Sequence, residues 1–403
     1  MLEGWKRVAL DEVAEFRNGL NFTRGEQGHS VKVVGVGDFQ RHETLSNFSD
    51  TSVVTVTNKI AENDLLKDDD LLFVRSNGNK ALVGRCVLIS GVTEPVTFSG
   101  FTIRARVKSK LVDHSYLSKL VRSPLFLAHL HRYGGGSSIN NLSQDALSEF
   151  TFGLPPLTEQ RKIAEILRAW DESLEHLTAL FAAKNDWLTG ITQKLTGRGG
   201  VFPDSWNLEP LSAIATRTRR KNDGGDHPVM TISAKSGFLM QSDKFARDMA
   251  GSSIDNYTLL HAGEFAYNKG NSLAAKYGCI YQLDRPTAVV PFVYFCFALK
   301  SGLDATFYSH LFAAGALNHQ LSRLINSGVR NDGLLNLNVE DFFGCRVPVP
   351  PIEDQRRIGE ALTTAKHELC LLDEEIKALT QQKRGLMQKL LTGEWRVNLE
   401  EVE

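Results

Sequence analysis

The 403-residue chain is poor in the patterns that chemistry requires. Its five cysteines, at positions 86, 279, 296, 345 and 370, form no Cys-x-x-Cys pair, so neither a zinc site nor a disulfide framework is indicated and reduced thiols are expected. No Gly-Lys dipeptide occurs, which removes the GxxxxGK[ST] loop with which a nucleotide-driven motor cradles phosphates. HExxH is missing, and so are the NPPY-like and Pro-Cys motifs of base methyltransferases, because Pro155-Pro156 and Pro350-Pro351 are each followed by a helix start. No apolar run approaches the roughly 20 residues of a membrane span, and the opening MLEGWKRV has no signal-peptide core, so a cytoplasmic location is expected.

An excess of charge is also lacking. Lys and Arg number 46 against 47 Asp and Glu, a net charge of −1. Residues 1–150 hold 18 basic and 17 acidic side chains and residues 201–345 hold 13 of each, so neither region carries the basic footprint usual in nucleic-acid binding. Two acidic clusters invite a metal-centred reading. Asp68, Asp69 and Asp70 directly precede the strand-like Leu71–Arg75 and read better as a capping turn, and Glu375 with Lys377 falls on a solvated helix face. No catalytic residue and no metal site is assigned.

What is present is a repeat. PPLTEQRKIAEIL begins at Pro155 and PPIEDQRRIGEAL at Pro350, an offset of 195 (350 minus 155), and the register continues ungapped to Leu195 and Leu390. Apolar residues fall alternately three and four apart: Ile163, Leu167, Trp170, Leu174, Leu177, Phe181, Leu188, Ile191 and Leu195, broken by Lys184. The second copy gives Ile358, Leu362, Ala365, Leu369, Leu372, Ile376, Leu379, Leu386 and Leu390, broken by Lys383. A seam sustained over so many heptads predicts coiled-coil helices. Pro156 and Pro351 mark their starts, Gly197 and Gly393 their ends. At ~1.5 Å per residue each is roughly 60 Å long, and each is the other's nearest available partner. Antiparallel pairing is expected, with the globular parts carried to opposite ends. Lys184 and Lys383 either fix register and partner choice, as polar seam residues can, or extend their ammonium groups to water, and the second is the preferred expectation.

The regions before the helices match in outline. Trp5, Leu10 and Val13 repeat the spacing of Trp206, Leu211 and Ile214, and DLLFVRSNGNKALVGR from Asp70 aligns with EFAYNKGNSLAAKYGC from Glu264. Helical stretches follow at about 113–133 and 304–326, then the polar loops GGGSSINN from Gly134 and SGVRNDGL from Ser327. The expected fold is α+β: two similar globular domains and two long helices in an antiparallel coiled coil, a pseudo-twofold internal repeat. The boundaries read as 1–153, first domain; 154–200, first helix; 201–348, second domain; 349–396, second helix; and 397–403, a tail.

These features together resemble the specificity subunit of type I restriction-modification enzymes. The resemblance is carried by PPLTEQRKI and PPIEDQRRI with their helices ending QKLTG and QKLLTG, by WKRVALDEV, SNGNKALVGR and NYTLLHAGEFAYNKGNS, and by the approach VPVPP. It implies a DNA-reading scaffold that does no chemistry. Each globular part would be a target-recognition domain for one half of a split site in double-stranded DNA. The helices would set the spacer and dock two modification subunits, through which the restriction subunits join. S-adenosylmethionine, ATP and Mg²⁺ would belong to those partners, and this chain would carry no cofactor. Two other readings stay open at this point: a coiled-coil adaptor that binds no DNA, and a fused restriction enzyme with an unrecognised active site.

Base edges are read bidentately, by Arg or Lys at guanine and by Asn or Gln at adenine. The loop holding Arg75, Ser76, Asn77, Gly78, Asn79 and Lys80 concentrates those types, as does its counterpart with Asn268, Lys269, Gly270, Asn271 and Ser272. Weaker candidates are Ser137, Ser138, Arg330 and Asn331, and the basic run Arg217, Arg219, Arg220 and Lys221. For partner binding or helix pairing the candidates are Gln160, Arg161, Ile163, Leu167, Trp170 and Leu174, with Gln355, Arg356, Ile358, Leu362, Leu369 and Leu372.

Overall fold

The apolar seam reappears as a burial pattern. The computed structural model describes all residues except 1–3, 23–27, 40–42, 57–59, 135–140, 197–201, 203–204, 245–250, 271–274, 326–333 and 399–403. In it the long helices run Leu157–Thr196 and Ile352–Thr392. From Ile163 to Ile191 every seam residue is buried or half-buried while most residues between them face solvent, and the same holds from Ile358 to Leu390. Gly197 and the side chain of Leu195 lie outside the described residues. Each helix starts right after its second proline, whose carbonyl accepts the first helical hydrogen bond, from Gln160 N at 3.0 Å and from Gln355 N at 3.1 Å. Gly393, at φ 73°, ends the second helix in the left-handed conformation that glycine adopts most cheaply.

The chain divides into two compact units, Met1–Thr178 with Glu375–Glu403, and Ala179–Glu374, so each unit owns a part of both helices. In the first unit the helices oppose each other in direction. Glu159 meets Arg396 at 2.7 Å and Asp171 meets Lys383, one number rising as the other falls. Ile163 and Leu167 share a core there with Met387, Leu390 and Leu391. In the second unit Lys184 Nζ meets Glu368 Oε2 at 2.9 Å, and Leu188 shares a core with Ile358, Leu362 and Leu369.

The two globular parts follow one plan. The first unit's main sheet orders its strands Ala14–Asn18, Thr102–Val107, Leu71–Val74, Cys86–Ile89 and Thr44–Leu45; the second's orders Ala215–Arg217, Phe295–Leu299, Phe265–Asn268 and Cys279–Gln282, the same sequence of neighbours without the last. All these pairs are antiparallel except that of Thr44–Leu45. Beside each lies smaller β structure: strand His29–Val34 runs parallel to Val96–Phe98, and the bridge Val229 to Val289 is parallel in the same way. A two-stranded ribbon closes each globular part, Lys6–Ala9 with Thr151–Leu154 and Asn207–Pro210 with Arg346–Val349, delivering the chain to its helix. This ribbon is why the Trp-Leu-Val spacing near each start repeats. Leu10, Leu71, Phe73, Tyr116, Leu117 and Phe126 are fully buried in the first core, and Leu211, Phe265, Tyr267, Phe297, Phe307 and Phe342 in the second. At about 1.5–3 kcal/mol for each such large apolar side chain removed from water, these clusters are the main support of the units.

The helical stretch after each sheet is interrupted. In place of one helix over 113–133 there are two, His114–Leu120 and Pro124–Tyr133, and 304–326 holds Ala305–Ala313 and Asn318–Leu324. Ser123 stops the first run and caps the next through Oγ to Phe126 N, with Pro124 suited to the first turn that follows. Gly315, at φ 73°, makes the corresponding break. The acidic run is a turn. Asp69 is left-handed at φ 69°, and buried Asp70 grips Arg106 at 2.7 Å through both oxygens. Among the described residues no group of three or more His, Cys, Asp or Glu could hold a metal ion, and no helix is long and apolar enough to cross a membrane.

Candidate nucleic-acid interface

In each unit the loop after the central strand is stitched to the chain that leaves the polar loop. Leu142 N donates to Arg75 O at 2.8 Å and Leu335 N to Lys269 O at 2.9 Å; the bridges Ser76–Asn141 and Gly270–Leu334 lie alongside. Arg75 therefore corresponds to Lys269 and Ser76 to Gly270. In each unit the loop after the central strand thus meets, on one edge, a segment some sixty-five residues further along the chain. Ser137, Ser138, Asn271, Ser272, Arg330 and Asn331 themselves lie outside the described residues.

The candidates divide by what they already hold. Asn77 Oδ1 accepts from Asn79 N at 2.7 Å and Asn79 Oδ1 from Ala81 N at 3.1 Å, two local turns that leave the amide nitrogens as donors. Asn79 and Lys80 are exposed. Arg75 is half-buried, with Nη1 at 3.5 Å from Gly100 O. Asn268 is committed to the fold: its Oδ1 accepts from Gly270 N at 2.9 Å and its Nδ2 donates to Ile232 O at 3.1 Å. It shapes its loop and has little left for a base edge. Lys269 places Nζ 5.1 Å from the Phe295 ring centroid. Of the basic run, Arg220 is engaged with Glu264, a carboxylate that also accepts from His261 N, and Lys221 reaches Asn256 Oδ1 at 3.5 Å. Arg219 is exposed.

The two glutamines expected to bind partners or pair the helices instead lock each helix start to its own globular part. Gln160 Nε2 donates to Pro155 O at 2.7 Å and Leu111 O at 2.9 Å, while its Oε1 accepts from Asp113 N at 2.8 Å. Gln355 repeats the wiring with Pro350 O at 2.8 Å and Asp304 N at 2.9 Å. Asp113 and Asp304 in turn cap the helices they precede. Both glutamines are fully buried, Gln160 reaching three backbone groups and Gln355 two. Arg161 and Arg356 are exposed beside them, near Asp113 at 3.9 Å and Glu353 at 3.2 Å. Ile163, Leu167, Ile358, Leu362 and Leu369 are buried seam residues, with Trp170, Leu174 and Leu372 half-buried.

The seam lysines part company. Lys184 reaches an exposed glutamate, as expected of a side chain extended to water, whereas Lys383 is held between Asp171 and Glu43, which also engage Lys119. Burial would raise the Glu43 carboxyl, but Arg122, Lys119 and Lys383 outweigh it and keep it below the usual carboxylate range. Burial draws the Lys383 ammonium below its usual range against the pull of Glu43.

One feature of the first unit was not legible in its sequence. Arg85, Arg122, Lys377, Lys383 and Arg384 line a single open groove of about 1150 Å³ with Glu43. Even with Asp171 beside Lys383, five cations against two carboxylates make a local basic surface that a net charge of −1 conceals, and it escaped because its two walls are nearly 300 residues apart in the chain.

Comparison with known proteins agrees with this architecture. Residues 2–180 match the family model described as the type I restriction modification DNA specificity domain. The chain is 21% identical to the MjaVIII specificity subunit of Methanocaldococcus jannaschii, over 97% of this chain and 94% of that one. It is 20% identical to the EcoKI specificity subunit of Escherichia coli K12, over 98% and 89%. Among solved structures, the HsdS subunit of Thermoanaerobacter tengcongensis superposes with a TM-score of 0.54 at 15% identity, covering 98% of both chains. A chain from a study of type I system assembly superposes at 0.60 and 15%, over 98% of this chain and 99% of that one. With the repeated helices and duplicated sheets already described, these matches make residues 2–180 a type I restriction modification DNA specificity domain, and the chain over nearly its whole length is similar to the specificity subunits of type I restriction enzymes.

Proposed function

We propose that this chain reads a bipartite site in double-stranded DNA, with residues 1–153 and 201–348 each recognising one half. The observation that carries the reading is the duplicated strand order with the same stitched loop pair, dressed in different side chains. Arg75, Ser76 and Asn77 stand on one edge where Lys269 and Gly270 stand on the other. Similar scaffolds with unlike surfaces suit two half-sites of unlike sequence. The long helices fix the spacer, as protein geometry fixes half-site separation in other two-part readers. They also present the surface for two modification subunits, through which restriction subunits join in the cytoplasm. The chain itself performs no chemistry. S-adenosylmethionine, ATP and Mg²⁺ serve the partners, and the basic groove of the first unit adds phosphate attraction to theirs.

The test is co-expression with the modification subunit in a host lacking adenine methylation, followed by mapping of modified adenines. A split motif with a fixed gap is expected, and substitution of the loop at Asn77, or at Asn271, is expected to alter one half only. A stable complex that modifies no such motif would overturn the reading and favour an adaptor.

A further inference from the structure

Each unit leaves a phenylalanine standing in water in the same turn. Phe101 lies between strands Val96–Phe98 and Thr102–Val107 and is 61% exposed; Phe292 lies between Thr287–Val290 and Phe295–Leu299 and is 63% exposed. Among the described large apolar residues these are the two most exposed. The central strands give the correspondence: Phe73 pairs with Ile103, and Tyr267 with Phe295, which sets the two phenylalanines one position apart in equivalent turns. Aromatic rings are costly to leave in water, and scattered exposure would not favour one turn twice.

Neither turn is loose. Phe101 O accepts from both Arg75 N at 2.8 Å and Ser76 N at 3.3 Å, so the turn carries the candidate reading loop directly. Gly100 N donates to Leu20 O at 2.7 Å, and a Cβ on Gly100 would strike Asn21 Oδ1 at 2.0 Å. In the second unit Pro291 fixes the entry, Tyr294 N donates to Pro291 O at 3.0 Å, and the buried Tyr294 hydroxyl sits 3.0 Å from Thr231 Oγ1. An exposed ring on a fixed backbone loses little freedom when it is covered, the property of an anchor in recognition.

The surroundings of Phe101 indicate what covers it. With Phe22, Val36 and Val54 it lines an open cleft of about 630 Å³ whose rim includes Ser76 and Asn77. The Asn77 oxygen is taken by Asn79 N, so the side chain offers its amide donors. An apolar recess beside a donor complements one edge in DNA above others, that of an A·T pair in the major groove, where the thymine methyl adjoins the acceptor thymine O4.

We propose that Phe101 and Phe292 are specificity residues, each seating the 5-methyl group of a thymine in its own half-site. The inference rests on the DNA-reading function above and deepens it. Its test uses the full chain assembled with its modification subunits and the mapped site, in duplexes where each thymine of a half-site is replaced singly by uracil, which lacks only the methyl group. One replacement in each half is expected to weaken binding about three- to fivefold, the size of one buried methyl group. Phe101→Ala is expected to abolish that sensitivity in the first half alone, and Phe292→Ala in the second alone. Phe101→Leu, which keeps an apolar contact, is expected to retain most of it. Binding indifferent to every replacement, a half-site without thymine, or unchanged sensitivity in Phe101→Ala would overturn the inference while the DNA reading stands. A wild-type complex that binds no bipartite site would overturn both.

Discussion

Removal of the Gln160 amide is expected to cost more than removal of Gln355, although the two sit at the same place in the repeat. Gln160 makes three side-chain hydrogen bonds, with Pro155 O, Leu111 O and Asp113 N, whereas Gln355 makes two, with Pro350 O and Asp304 N. A hydrogen bond contributes about 0.5–1.5 kcal/mol net, and a buried group stripped of its partner costs about 1–3 kcal/mol. In both variants the proline carbonyl is left buried, while the partners at Leu111 and at Asp113 or Asp304 have access to water and lose less. Gln160→Ala should therefore destabilise the first unit by ~2–4 kcal/mol and Gln355→Ala the second by about 1 kcal/mol less, the worth of the missing bond. Because the units need not unfold together, the measurement is hydrogen exchange under native conditions resolved by peptide, not one melting curve. Faster exchange should be confined to the globular part and helix start of the altered half. Equal losses in the two variants, or a loss below about 0.5 kcal/mol for Gln160→Ala, the least expected of a single bond, would show that the locks are incidental to the helix starts.

Two further perturbations separate the units. Glu159 is buried, with Trp5 Nε1 at 3.0 Å and Arg396 closing on both its oxygens at 2.7 and 3.0 Å. Arg396→Ala should leave that charge underpaired and cost roughly 3–5 kcal/mol in the first unit, read by denaturant unfolding, with Arg396→Ala/Glu159→Gln recovering part of the loss. His310 is held neutral by burial, its imidazole drawn down to about 4 from the usual 6.5, with Nε2 at 2.9 Å from Thr363 Oγ1. The unfolded chain takes up this proton first, so stability of the second unit should fall as pH drops from about 6.5 toward 4, by ~1.4 kcal/mol per unit of pKa difference. His310→Gln should flatten that slope, and a slope unchanged by the substitution would assign it to other groups.

Much of the fold was legible in the sequence where a period could express it. The three-four alternation from Ile163 to Ile191 and from Ile358 to Leu390 became the buried face of each helix, because a 3.5-residue repeat can bury one stripe and little else. Turn chemistry was read less well: Ser123-Pro124 and Gly315 break helices that composition alone ran together. At the site, the matching positions of the two loops were visible, but the burden each side chain carries was not. Asn268 has the right chemistry for adenine and spends it on Ile232 O and Gly270 N. Gln160 and Gln355 recur for the sake of their own helix starts, a role that repetition alone could not tell from partner binding. The basic groove and the paired phenylalanines were beyond reach, since each is set by distant strands and helices brought together by the fold.

The repeat is most informative where it fails. Asp171 in the first helix corresponds to Lys366 in the second, and Lys383 in the second corresponds to Leu188 in the first, each by the offset of 195. The first unit therefore places an Asp171–Lys383 pair, with Glu43 and Lys119 around it, where the second places Leu188 in an apolar core. A perfect repeat would let either helix half pack against a copy of itself in another chain with the same contacts as the native pairing. With Asp171 and Lys383 in place, a mispaired first helix sets Asp171 against leucine, and burying an unpaired carboxylate costs several kcal/mol. A single polar pair in an otherwise apolar seam fixes register and partner in coiled coils at some expense of stability. The departure from symmetry thus favours pairing within one chain, which keeps two unlike globular surfaces on one scaffold, as the proposed two-part site of unlike halves would require.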